Sequence, residues 1–146
     1  MGDALKNIVM QTPIEITGVV RKGKGRGKNM GFPTTNITLN RTVPEGVYAS
    51  IVTIDNHTYK AASFVGRAET FGENELQLES YILDFNRDIY GTEITVKLIE
   101  KLRESKKFPS VQSLITAIGE DVSRTAEFFR NTPGLLPALQ RSMSLS

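Results

Sequence analysis

Along most of the first hundred residues the pattern of apolar and polar positions reads as a series of strands separated by turn residues. The segment Ile14-Glu15-Ile16-Thr17-Gly18-Val19-Val20 alternates apolar and polar at first and is rich in β-branched residues, so it predicts a strand. Thr35 to Leu39 reads as a second, short strand. Val47 to Ile54 and Thr58 to Phe64 are joined by Asp55-Asn56-His57, residues suited to a hairpin turn. Leu76 to Phe85 and Glu93 to Leu102 form two longer strands, separated by a loop over Asn86 to Thr92. Only near the C-terminus does a helical period appear. Val111, Leu114, Ile115 and Ile118 share one face, with Ser110 as the N-cap. Asp121 is placed to cap a second helix through Phe128 and Phe129. Six strands followed by helix predict a closed antiparallel β-barrel carrying one or two C-terminal helices. Residues 1–13 read as a lead-in. Residues 131–146, broken by Pro and Gly and ending in Ser-Met-Ser-Leu-Ser, read as a poorly ordered tail.

Composition narrows this to one modest domain. A chain of 146 residues suffices for a single core that buries roughly two-thirds of its unfolded surface. Cysteine is absent and His57 is the only histidine, which excludes disulfides, thiolate metal sites and the common histidine-based zinc sites. Residues 1–10 hold no apolar leader core, and no stretch approaches the ~18 apolar residues of a membrane span, so a cytoplasmic protein is expected. The net charge of +2 is too small to imply nucleic-acid binding by itself. Its distribution is uneven, though: Arg21, Lys22, Lys24, Arg26 and Lys28 fall within eight residues. Nucleic acid is a fair rival for such a cluster, but no aromatics are interleaved on which bases could stack.

That cluster lies in the most distinctive segment of the chain. Gly18 to Asn36 packs five glycines and five cationic residues ahead of Pro33-Thr34-Thr35-Asn36. Glycine lets backbone N–H groups approach a ligand closely, and the cations supply the field that phosphate favours. Thr34 and Asn36 offer neutral oxygens suited to a hard cation such as Mg²⁺. Known phosphate loops do not fit, however. After Gly18-x-x-x-x-Gly23-Lys24 comes Gly25 where a Walker loop needs Ser or Thr. Neither Gly25 nor Gly27 has a glycine three residues on, and no helix follows. On this pattern alone, a nucleotide-phosphate site and a basic hairpin without ligand stand about equal.

The whole segment resembles the riboflavin kinase signature, through Gly18, Val20, Gly23, Gly25, Arg26, Gly27, Gly31, Phe32, Pro33, Thr34 and Asn36, with Thr35 in place of the usual Ala. The resemblance continues in order with Gly46-Val47-Tyr48-Ala49, with Glu79-Ser80-Tyr81-Ile82-Leu83-Asp84-Phe85, with Tyr90-Gly91, and with Leu102-Arg103 ahead of Phe108. It covers about Ile14 to Phe129. Two departures stand out: Glu69 occupies the place of a proline after the fourth strand, and Tyr81 replaces a common histidine.

What the resemblance implies is specific. The fold would be a mainly β, six-stranded, Greek-key-like barrel of the riboflavin kinase type, spanning residues 14–130. The reaction would carry the γ-phosphoryl of ATP to the ribityl 5′-hydroxyl of riboflavin, giving FMN and ADP. Glu79 would be the general base, and strand parity places it with Tyr81 and Leu83, facing a partly apolar interior. Thr34 and Asn36 would hold Mg²⁺, or another divalent cation, and the phosphates. Gly23, Lys24, Gly25, Arg26 and Gly27 would arch over the nucleotide. Arg103, Tyr90 and Phe85 would contact the flavin; a surface ion pair to Glu100 or Glu104 is the alternative for Arg103. No nucleic acid and no membrane are expected as partners. An FMN adenylyltransferase domain, or a separate enzyme, would lie outside this chain, which is either a stand-alone kinase or one domain of a larger protein. Two rival readings remain: an inactive flavin- or nucleotide-binding module, and a basic nucleic-acid-binding barrel.

Overall fold

The computed structural model describes residues 13–22, 28, 30–67 and 75–135. Six strands appear in chain order: β1 (Ile14–Val19), β2 (Thr35–Thr38), β3 (Gly46–Ile54), β4 (His57–Gly66), β5 (Gln77–Ile82) and β6 (Glu93–Arg103). They pair antiparallel in the spatial order β1-β6-β3-β4-β5-β2. Strands β3, β4 and β5 form a meander and β6 returns to lie beside β3, which is a Greek key. The predicted barrel is therefore present. Its meander turns at Asp55-Asn56, where φ of 50° and 68° and the Ile54–His57 pair make the two-residue hairpin that those residues favour.

The ring closes between β1 and β2. The Arg21 amide donates to the Asn36 carbonyl at 2.8 Å, an antiparallel bridge just past the end of β1. Gly18 permits this approach, because a Cβ there would stand 2.7 Å from Ile37 Cγ2. Inside the barrel, alternate residues of every strand meet: Ile16, Ile37, Val52, Ile54, Ala61, Val65, Leu78, Ile82, Ile94, Val96 and Leu98 form one core.

One helix, α1 (Val111–Arg130), packs on the outside. It starts at Ser110, whose hydroxyl accepts from the Ser113 amide at 3.1 Å, while the Ser113 hydroxyl accepts from the Ser110 amide at 3.3 Å. The second helix expected from Asp121 is not a separate element: Asp121 lies within this single 20-residue helix. Nothing between Gly119 and Arg124 breaks it, and Asp121 has a tertiary partner instead of a capping role. Phe129 seats the helix on Ala49 and Ile51 of the outer face of β3, beside Ile99, Leu102 and Leu135. Leu135 thus packs against the body of the protein although it belongs to the expected tail. Residues 136–146 of that tail, and all but Pro13 of the lead-in, lie outside the described residues.

Candidate active site

Strand register assembles a polar group on the outer face of β2 and β5. On β5 the interior positions are Leu78, Ser80 and Ile82, so Gln77, Glu79 and Tyr81 face outward. The same alternation turns Ile37 inward and Thr34 and Asn36 outward. Asn36 and Glu79 are direct cross-strand partners. The Thr34 hydroxyl donates to Glu79 Oε1 at 3.1 Å. The Asn36 side-chain oxygen, Oδ1, is buried and accepts no hydrogen bond. An orphaned buried carbonyl costs of order 1–3 kcal/mol unless water or a bound ion satisfies it.

Glu79 therefore does not project into the barrel as parity suggested. Parity correctly grouped it with Tyr81, but which face becomes the interior is decided only when the ring closes. Its half-buried setting is nevertheless partly aromatic. Phe64 of β4 is its other cross-strand partner. Tyr81 lies next along the same face and meets Phe32 edge-on, with ring centroids 5.5 Å apart. Phe32 in turn reaches α1, where a Cβ on Gly119 would stand 3.9 Å from the end of its ring. Tyr81, the residue in place of the common histidine, thus props up the loop that carries Thr34.

One transverse row connects this group to Arg103. Asn36 pairs with Glu79, Glu79 with Phe64, Phe64 with Val47, and Val47 with Arg103. Strand spacing puts Arg103 roughly 14 Å from Glu79 along that row, a separation suited to an extended ligand. The guanidinium is already engaged: Nε and Nη2 donate to Oδ1 and Oδ2 of Asp121, each at 2.8 Å, and Nη1 donates to the Glu104 carbonyl at 3.1 Å. The cation also lies over the Phe108 ring at 5.4 Å. The acidic partner is thus Asp121 of α1, not Glu100 or Glu104. Asp121 was missed as a site-shaping residue, although it carried a signal: with Thr125 it interrupts the apolar stripe of Leu114 and Ile118, and a polar residue on a buried face needs a partner.

The other expected residues lie elsewhere. Phe85 packs against the barrel core and meets Tyr59 edge-on at 5.0 Å, with Arg87 over its ring at 5.2 Å. It is not on the transverse row. Tyr90 is exposed in the β5–β6 loop, where its amide donates to Asp88 Oδ1 at 3.0 Å and the adjoining Gly91 amide donates to the Val20 carbonyl at 2.9 Å. Gly23, Lys24, Gly25, Arg26 and Gly27 lie outside the described residues, as does Glu69. Arg21 and Lys22, which precede them in the sequence, are exposed. Among the described residues there is no cluster of three or more His, Cys, Asp or Glu able to hold a metal. No helix among the described residues is long and apolar enough to cross a membrane.

Comparison with known proteins agrees with the motifs. The family model described as Flavokinase: Riboflavin kinase matches residues 10–129. The chain is 35% identical over 130 residues to an RNA-binding riboflavin kinase of Bacillus subtilis, covering 88% of this chain and 56% of that protein. It is 31% identical over 133 residues to the bifunctional riboflavin kinase/FMN adenylyltransferase of the same organism, covering 87% and 42%. The chain spans between 19% and 56% of the length of such curated relatives. Among solved structures, riboflavin kinase from Trypanosoma brucei shares the fold, with a TM-score of 0.63 at 24% identity over 94% of this chain and 92% of that one.

Proposed function

The chain belongs to the riboflavin kinase family, and from that premise we propose that it transfers the γ-phosphoryl group of ATP to the 5′-hydroxyl of riboflavin on the outer face of β2 and β5. The observation that carries this reading is the buried, partnerless Asn36 Oδ1 beside the Thr34–Glu79 hydrogen bond. Thr34 spends its proton on Glu79, so the lone pairs of its oxygen are left to a cation, and Asn36 Oδ1 is a second neutral ligand of the same kind. These two oxygens fit a hard divalent ion that takes its remaining ligands from phosphates and water. Such an ion would neutralise charge on the phosphates during transfer.

The remaining chemistry falls to Glu79. A hydroxyl attacks phosphorus effectively only as its proton leaves, and a carboxylate within hydrogen-bond reach takes that proton. Thr34 fixes the orientation of one carboxylate oxygen, which reduces the freedom lost on reaching the reactive geometry. Phe64 and Tyr81 flank Glu79 on the same outer face. Riboflavin would lie along the transverse row, its ribityl end at Glu79 and its ring toward Val47 and Arg103. Asp121 keeps the guanidinium in place there. The glycine and basic residues 23–28, by their composition, would serve the nucleotide phosphates.

The test is turnover: purified protein with riboflavin, ATP and Mg²⁺, the flavins then separated by chromatography. FMN should form in proportion to protein and stop when the metal is chelated. Folded protein that makes no FMN with any nucleoside triphosphate or divalent metal would overturn the reading.

A further inference from the structure

A row of hydroxyls runs through the barrel wall directly behind the candidate site. Ser50 of β3, Ser63 of β4 and Ser80 of β5 are 0%, 0% and 1% exposed, and they are the only polar side chains of the sheet buried to this degree among the described residues. Ser63 Oγ lies 2.6 Å from Ser50 Oγ and 2.7 Å from Ser80 Oγ. Ser50 donates to the Ala61 carbonyl at 3.0 Å. That last bond fixes the direction of the chain: Ser80 donates to Ser63, Ser63 to Ser50, and Ser50 to the backbone, so every hydroxyl proton is used. The row extends to β2, where Thr35 pairs with Ser80 in register and its hydroxyl donates to the Ser80 carbonyl at 3.4 Å. Thr35 stands between Thr34 and Asn36, and Ser80 follows Glu79.

We infer that this hydroxyl row is a positioning device for the site: by holding Ser80 and Thr35 inward it holds Glu79, Thr34 and Asn36 outward and opposite one another. The inference rests on the reading of Thr34 and Asn36 as ligands of the metal–nucleotide. Its physical basis is that side chains alternate faces, so a slip of one residue would turn Glu79 into the barrel. β2 has only four residues and pairs with β5 over those four, which leaves its register weakly specified by length alone. The three serine hydroxyls meet only when β3, β4 and β5 are aligned as they are, and Thr35 ties β2 to that alignment through the Ser80 carbonyl. None of these four residues is expected to touch substrate; they act through the backbone that they share with residues that do.

Three variants separate positioning from plain structural support. Ser63→Ala strands two buried hydroxyls and should lower Tm. The triple variant Ser50→Ala/Ser63→Ala/Ser80→Ala removes every stranded group and should recover much of that loss. Thr35→Val removes only the last link. Two readouts are taken on each: amide hydrogen exchange at Arg21 and Leu39 in ligand-free protein, whose N–H groups bracket β2, and Mg·ADP affinity by calorimetry. We expect the triple variant to lose protection at those two amides while amides of the β3–β6 ladder stay protected. Its Mg·ADP affinity should fall about 10–100-fold, the usual cost of losing a partner behind a metal ligand. Thr35→Val should move both readouts the same way by less. A triple variant, or if that does not fold a Thr35→Val protein, that keeps either wild-type amide protection or wild-type affinity overturns the inference. Absence of FMN formation by the wild type would sink the kinase reading, but the ligand-free amide data would still decide the role of the row.

Discussion

The two sides of this barrel are built differently. On one side β3, β4 and β6 have nine, ten and eleven residues. Every residue of β3 but Thr53 is buried, because its inward face meets the core and its outward face meets α1 through Phe129. On the other side β1, β2 and β5 have six, four and six residues. No helix packing comparable to Phe129 is described there, and closure depends on the Gly18–Ile37 approach and the Arg21–Asn36 bridge. The proposed chemistry sits entirely on the second side. The long, helix-covered strands anchor the fold, while the groups proposed to react stand on the short strands, where fewer buried contacts oppose local opening.

The largest break in that comparison is Phe129→Ala. It should cost about 3–5 kcal/mol of stability, read as a lower denaturation midpoint, while turnover per folded molecule stays close to wild type. Next comes Gly18→Val. The added carbons would collide with Ile37 at the seam, and overpacking of this kind costs about 1–3 kcal/mol. Here turnover should fall by more than the unfolded fraction explains, because β2 carries Asn36 away from Glu79; kinetics well below the midpoint temperature would show it.

The smallest effect concerns Glu100, beneath the helix side. Burial pushes its carboxyl above the ordinary value of 4.5. A raised folded-state pKa means that stability is full below the unfolded value and declines as pH rises through the folded one. Glu100→Gln should therefore raise Tm slightly at pH 7, and the gain should vanish on acidification below about 4.5, with turnover unchanged. Thermal melts from pH 4 to 8 on the two proteins would check the sign.

How much of this was legible in the sequence follows from which forces act locally. The β3–β4 hairpin was readable, since Asp55-Asn56 accepts positive φ and the alternation on either side is local. The motif residues Thr34, Asn36 and Glu79 were readable as a set, and the structure brings those three together. The face on which they stand was not, because the inside of a ring is defined by closure. The single helix was misread at Asp121, whose carboxylate answers to Arg103, eighteen residues earlier, and not to its own backbone. The three serines were silent for the same reason: on separate strands they read as ordinary polar positions, and only the register makes them a row.

Single-turnover FMN formation by Glu79→Gln, with protein in excess over riboflavin and saturating Mg·ATP, is the decisive experiment for proton transfer on the outer face of β5. The substitution keeps the shape and the Thr34 contact but removes the base. The expected rate is lower by about 10²–10⁴, with unchanged Tm and Mg·ADP affinity. A rate within a few-fold of wild type would contradict it and move the proton acceptor away from the outer face of β5.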